Sequence, residues 1–428
     1  MIFLLFGTFA VFLLIGIPIA FAIGLAVLIV MTVSGMPFMV LAQKILHAAD
    51  SFSLLAIPLF ILSGELMNRG GLTIRLVNFA HSIVGHIRGG LGQTSVMSSM
   101  IFAGISGSAV ADTTAIGSIL IPAMRKKKYH PAFSATLNAA SSCIGPIIPP
   151  SIIMILYGSI TEVSIGGLFL AGVLPGFLIG TCMMFVVYYY SGPKYHPALD
   201  REKRVPLKQL LKDFIYALPA LIMPLIIIVG IISGVFTATE AGAVAVVYAF
   251  FVGKFYYKGF EIKDIPAMLI SSASTTAMVM SIIVFAYAFG WLLAWQMFPA
   301  AATEFFSHLT QNKYVFLAII IVFLLILGTV MEVLAIATIF GPLLNLMGQQ
   351  YGFDPIHFGI ILIIVMQIGG TTPPVGILLN ISCGLAQVKT GATLRFLWAF
   401  ILSMMVVVVL ISVFPSLAML LPNIFMDL

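Results

Sequence analysis

Charge is what this chain has least of: only 8% of its 428 residues are charged, while 61% are hydrophobic. A soluble surface needs roughly a quarter charged residues or more, so a soluble globular protein is excluded. No polar stretch is long enough for a soluble domain, and the ~10-residue alternating segments of a β-barrel are missing. Cysteine is also scarce. Cys143, Cys182 and Cys383 sit in apolar segments without metal-type spacing and read as buried small hydrophobes. There is no HExxH, no G-x-S-x-G and no P-loop, which argues against an enzyme and leaves no ATP motor in this chain. Energy must come from an ion gradient or another subunit. The net charge of +6 comes from short basic loops, which report membrane orientation and do not point to nucleic acid.

What is there instead is a succession of apolar runs near the ~20 residues that span a bilayer, so the fold class is an all-α polytopic membrane protein. Residues 1–91 read as scaffold spans. The first is Met1–Thr32, kinked at Gly16-Ile17-Pro18; it lacks the basic start of a signal peptide and is expected to be retained. A second span is Ser51–Asn68. Leu72–Arg88 has one apolar face and one polar face (Arg75, Asn78, Ser82, His86), the pattern of an interfacial arm helix. Residues 92–124 form an expected re-entrant hairpin with its tip at Ser106-Gly107-Ser108, and 131–158 a helix broken at Gly145–Pro150. Further scaffold spans fill 159–313, with a charged linker at 191–213. A second hairpin (314–347) and a second broken helix (357–385) follow, then a last span within 386–428.

The halves echo each other. Asp112 and Pro122 match Glu332 and Pro342 at an offset of 220, and Gly145, Pro149 and Pro150 match Gly369, Pro373 and Pro374 at 224. Five crossings separate the hairpins, so the repeats are inverted, an arrangement of transporters with sites at the repeat interface. If the first hairpin enters from the cytoplasm, all of the 20 basic residues except Lys44 and Lys313 fall in cytoplasmic loops. The N-terminus is then cytoplasmic and the C-terminus periplasmic.

Breaking a helix in lipid frees backbone groups that cost several kcal/mol each when unpaired. Such breaks persist where they face protein or a cavity, and freed carbonyls are good ligands for a hard cation such as Na⁺. One expected site comprises Ser106, Ser108, Gly145, Ile148 and Pro150. The other comprises Gly328, Thr329, Gly369, Thr371 and Thr372. Asp112 and Glu332 stand near the tips and either tune cation affinity or cap half-helices. Asp112 looks like an N-cap for Thr113–Met124, Glu240 starts a span, and Glu65 ends one. A substrate anion would meet Ser108, Asp112, Thr113, Ser151 and Thr372, with Arg125 as a cytoplasmic-side candidate. A proton-coupled antiporter or passive anion channel is the alternative.

The segments GISGSAVADTTAIGSILIPAM, GPIIPPS, GVFTATEAGAVAV and GGTTPPVGILLN together resemble the large membrane (M) subunit of TRAP transporters, across essentially the whole chain. The resemblance implies an elevator-type secondary transporter, coupled to two or more Na⁺, that imports a carboxylate-bearing solute across a bacterial inner membrane. It implies two protein partners, a small membrane subunit (Q) and a periplasmic substrate-binding protein (P). Because the chain starts at the large-subunit repeat, the small subunit is expected as a separate polypeptide. C4-dicarboxylates and sialic acids are both carried by this family, and overall resemblance leans to the sialic acid type.

Overall fold

The structure, a computed structural model, describes residues 1–192 and 203–426. These form twenty α-helices, with no strand among the described residues. The chain opens with α1 (Ile2–Leu14), α2 (Ile19–Val33), α3 (Phe38–Ala49), α4 (Ala56–Arg69) and α5 (Leu72–Val84). The first hairpin is α6 (Gly90–Ser106) and α7 (Ala109–Lys126); the first broken helix is α8 (Pro131–Ser142) and α9 (Ile152–Thr161). Next come α10 (Ile165–Tyr190), α11 (Leu207–Ile232), α12 (Ala238–Phe251), α13 (Ile265–Trp295) and α14 (Phe298–Leu309). The second hairpin is α15 (Lys313–Gly328) and α16 (Val333–Gln350), and the second broken helix is α17 (Pro355–Gly369) and α18 (Ile377–Ala386). The chain closes with α19 (Leu394–Val413) and α20 (Ser416–Phe425).

The two hairpin-plus-broken-helix units form the buried heart. Along α17 every residue from Ile356 to Gly369 is buried, as expected of a helix surrounded by others. The units are exchanged across a pseudo-twofold relation: α9 of the first packs on α16 of the second, and α18 of the second packs on α7 and α8 of the first. Around them, α13 runs past α2, α3, α4 and α16, while α10 lies against α6, α17, α19 and α20. Five helices, α10 to α14, join the two units, and four of them, α10 to α13, are long and apolar enough to cross a membrane; with the first broken helix this matches the expected five crossings between the hairpins.

The repeat keeps one offset, 224, from hairpin to break. It relates Gly104 to Gly328, Gly117 to Gly341, the left-handed Lys128 to the left-handed Gly352, and Pro131 to Pro355, each proline opening its helix. The offset of 220 for the acidic residues is therefore a coincidence of composition. Ser108 is the N-cap of α7 and corresponds to Glu332, the N-cap of α16; Asp112 lies one turn inside α7 and corresponds to Ile336. Asp112 does not cap a helix.

Several elements depart from the sequence reading. Met1–Thr32 is not one kinked span: Gly16 takes a left-handed φ of 89°, and α1 and α2 pack against each other. The last span is also two helices, because Pro415 cannot continue the α19 hydrogen-bond ladder. The arms of the first hairpin are 17 and 18 residues and run two residues past each end of the expected 92–124. The apolar face of α5 is buried, and two residues of its polar face also reach protein while Asn78 stays exposed. Arg75 stacks on Tyr257 at 4.1 Å, and the Ser82 hydroxyl donates to Asp213 at the start of α11. Of the expected linker at 191–213, residues 193–202, including Lys194 and Arg201, lie outside the described residues. Thr237 and Glu240 form a capping box that opens α12, as expected.

Candidate functional site

The first tip is the two-residue link Gly107-Ser108 between α6 and α7. Gly107 turns the chain with φ 57°, and a side chain there would come within 2.7 Å of the Pro150 carbonyl. The Gly107 carbonyl accepts the Ile152 amide at 3.3 Å, which ties the tip to the broken helix. The Ser106 hydroxyl lies 3.4 Å from both the Ser108 amide and the Ser108 carbonyl. In the break itself, turns bond Gly145 to Ser142 and Ile147 to Ile144, and the Ser151 hydroxyl donates to the Pro146 carbonyl at 2.5 Å. The carbonyls of Gly145, Ile148 and Pro150 accept no backbone hydrogen bond among the described residues. Prolines at 146, 149 and 150 remove the amides that would otherwise occupy such carbonyls.

The second tip docks more tightly. A side chain on Gly328 would meet the Gly369 Cα at 2.6 Å, so the two backbones touch. The Thr329 carbonyl accepts the Val375 amide at 3.0 Å, and the Gly369 carbonyl accepts the Thr372 amide at 2.9 Å. The carbonyls of Gly328, Thr371 and Thr372 stay without a backbone donor among the described residues. The hydroxyls of Thr371 and Thr372 donate to the Ile368 carbonyl at 2.7 and 2.9 Å, which leaves their oxygen lone pairs available. Each tip thus combines carbonyl and hydroxyl oxygens, the donor set of a hard monovalent cation. No cluster of three or more His, Cys, Asp or Glu occurs among the described residues, so a transition metal finds no matching site.

Between the tips lies a cavity of about 860 Å³. Ser106–Ala111 and Glu332–Leu334 line it from the hairpins, Pro146 and Val375–Leu378 from the breaks, and Asn68, Thr73, Ser271 and Thr275 from α4, α5 and α13. Among the described residues no Lys, Arg or His lines it, although two carboxylates do. Glu65 is paired with Arg69 at 2.9 Å. Glu332 commits one oxygen to the Leu334 and Ala335 amides, at 2.9 and 3.3 Å, and so offsets the positive end of α16 with a built-in carboxylate. The N-termini of α7, α9 and α18 also reach the cavity. That of α18 has no side-chain cap, and α7 has only a long 3.5 Å contact from the Ala111 amide to Ser108. These ends, with free amides and a positive partial charge, are the places where an anion would be held.

Of the residues expected to meet substrate, Ser108 lines the cavity and five do not. Asp112 and Thr113 are fully buried behind the tip, Ser151 is buried as the N-cap of α9, and the Thr372 hydroxyl is turned to the Ile368 carbonyl. Arg125 is exposed at the far end of α7, where it donates to Gln387 at 3.3 Å. The sequence reading missed Asn68, Thr73, Ser271 and Thr275. Its one available signal was the hydroxyl-rich run Ser271-Ser272-Ala273-Ser274-Thr275-Thr276 in the otherwise apolar, 31-residue α13.

Residues 6–417 match the family described as "Tripartite ATP-independent periplasmic transporter, DctM component". The sialic acid TRAP transporter large permease protein SiaM of Vibrio cholerae is 38% identical over 414 residues, which are 96% of this chain and 96% of that protein. The C4-dicarboxylate TRAP transporter large permease protein DctM of Pseudomonas aeruginosa is 39% identical over 383 residues, 90% of this chain and 89% of that one. The crystal structure of the YdaH transporter of Alcanivorax borkumensis, described as having an unusual topology, superposes with a TM-score of 0.62. It covers 89% of this chain and 88% of that one at 14% identity, so the likeness is one of fold.

Proposed function

The chain belongs to the large permease (DctM) component of the tripartite ATP-independent periplasmic transporters, and from that premise we propose that it couples Na⁺ entry to the import of a carboxylate-bearing solute. The observation that carries this reading is the make-up of the cavity wall: among the described residues no cationic side chain lines it, and Glu332 places a carboxyl group at one of its ends. A carboxylate entering such a space needs positive charge from elsewhere. Half-helix N-termini supply part of it, and cations seated at the two tips supply the rest.

Two Na⁺ moving with one monoanion carry one net positive charge inward, which a membrane potential favours by ~2.3 kcal/mol per 100 mV. The docked tips are suited to gating, because each seals against a broken helix by backbone contacts that an ion between them would strengthen. In this reading the hairpins and broken helices (92–158 and 314–385) form a body that moves as an elevator. Residues 1–91, 159–313 and 386–428 hold it, with the N-terminus in the cytoplasm of a bacterium and the chain in its inner membrane. A periplasmic binding protein delivers the solute, and a small membrane subunit completes the permease. The substrate is a sialic acid or a C4-dicarboxylate, the solutes named for the two relatives.

Reconstitution of the permease in vesicles, with the binding protein outside, tests this. Uptake should accumulate solute when Na⁺ is imposed inward and should vanish without it. Uptake that ignores Na⁺ and follows a pH gradient would replace this reading with proton coupling through the buried carboxylates.

A further inference from the structure

One buried carboxylate has no place in the cavity or at the tips. Asp112 is 0% exposed, and neither of its oxygens has a hydrogen-bond partner among the described residues. It stands one helical turn behind the Ser108 cap. The Ser99 hydroxyl of α6 faces it without making a hydrogen bond of normal geometry, and itself donates to Ser141 of α8 at 3.2 Å. On the third side is the break. The position a side chain would take on Gly145 lies 3.2 Å from the Ser142 carbonyl and 3.3 Å from Asp112 Oδ2. A side chain there would crowd both oxygens. Ser95 and Ser98, on the same face of α6 as Ser99, are buried with hydroxyls that also lack partners among the described residues.

The inverted repeat supplies its own control. At the offset of 224 the second unit carries Val322, Phe323, Ile336, Leu362 and Val365 where the first carries Ser98, Ser99, Asp112, Asn138 and Ser141. The same fold is therefore built with hydrocarbon at these places, and folding does not require the polar cluster. An isolated ionised carboxylate in such surroundings is untenable without a counter-charge.

We propose that Asp112, Ser99, Ser141 and the Ser142 carbonyl hold a monovalent cation of their own, Na⁺, behind the first tip and separate from the two ions at the tips. Asp112 is its charged ligand, and a side chain on Gly145 would crowd the ion against that ligand. The site joins α6, α7 and the α8–α9 break, so occupying it locks the first hairpin against its broken helix. This rests on the Na⁺ coupling proposed above and adds an ion to it.

Equilibrium binding of radioactive Na⁺ to the purified permease, with its small subunit, tests the proposal. Asp112→Asn should bind one Na⁺ fewer per permease than the unaltered protein. The Ser106→Ala, Ser108→Ala pair should lose a different one, so that all three changes together lose two. Infrared difference spectra add a readout besides ion counting: a Na⁺-induced change in the carboxylate stretch is expected that Asp112→Asn abolishes. Unchanged Na⁺ stoichiometry in Asp112→Asn, loss of one shared ion by both sets of changes, or a protonated carboxyl band that persists in saturating Na⁺ and disappears in Asp112→Asn would overturn the separate site. An unaltered protein that binds no Na⁺ would overturn both this proposal and the coupling on which it rests.

Discussion

Gly328→Ala perturbs the closest backbone approach at the second tip and leaves every other residue in place. The added methyl would sit 2.6 Å from the Gly369 Cα, 2.8 Å from its carbonyl carbon and 3.2 Å from the Gly370 nitrogen. All three atoms are backbone, so no rotamer change can relieve the clash. Carbon atoms rest about 3.5–4.0 Å apart, and the hairpin must therefore retreat by about 1 Å. Overpacking of this kind costs about 1–3 kcal/mol. The same retreat lengthens the 3.0 Å bond from Val375 to Thr329 and displaces the Gly328 carbonyl from the oxygens of Thr371 and Thr372. If 1.4 kcal/mol of that cost falls on the ion-bound state, Na⁺ affinity drops about tenfold. The assay is thermal unfolding of the purified permease across a Na⁺ titration. Gly384→Ala is the control, because nothing lies within 4 Å of a side chain there. Gly328→Ala should melt at lower temperature and need about ten times more Na⁺ for half its stabilisation. Equal melting and an equal Na⁺ response in the two variants would refute the claim that this contact shapes a cation site.

The matched glycines on the second arms should respond unequally. Gly117→Ala meets Asn138 at 2.6 Å and Leu385 at 2.9 Å and should cost about 1–3 kcal/mol in unfolding, whereas Gly341→Ala meets Tyr157 at 3.4 Å and Ile160 at 3.6 Å, ordinary contacts, and should be close to neutral. Glu332→Ala removes the cap of α16 and should destabilise by about 1 kcal/mol in the same measurement, with Glu332→Asp recovering part of it. Asn138→Leu loses bonds to the Thr113 carbonyl at 3.0 Å and to Ser382 at 2.9 Å, and should cost about 1–3 kcal/mol even though Leu362 fills the matching place. Arg125→Ala should leave the KM for solute uptake unchanged, because that side chain is exposed and far from the cavity.

How much of this was legible depended on whether the signal was local. Gly-Pro breaks inside apolar runs announce irregular backbone directly, and the tips and double prolines stand where the sequence placed them. The charge of Glu240 marked the start of a helix in the same way, and the structure opens α12 there with a capping box to Thr237. Pairing Asp112 with Glu332 failed because two acidic residues near two tips look equivalent until helix starts are known. The caps show that Ser108 and Glu332 share a role. The cavity walls were harder still. Asn68, Thr73, Ser271 and Thr275 come from α4, α5 and α13, far apart in sequence and each unremarkable in its own segment. Only packing brings them opposite the tips. Arg125 misled for a general reason: a cation near an expected anion site attracts a functional reading, while its position at the end of an 18-residue helix removes it from that site.

The central claim, that cations at the hairpin tips carry a carboxylate through a cavity without cationic side chains, is tested most directly by counting both fluxes in one preparation. Vesicles containing the complete permease, with loaded binding protein outside, would report radioactive Na⁺ and solute entry together under a fixed membrane potential. The account predicts at least two Na⁺ entering per carboxylate monoanion, with net positive charge moving inward. Solute entry at the same rate with no accompanying Na⁺ would contradict it.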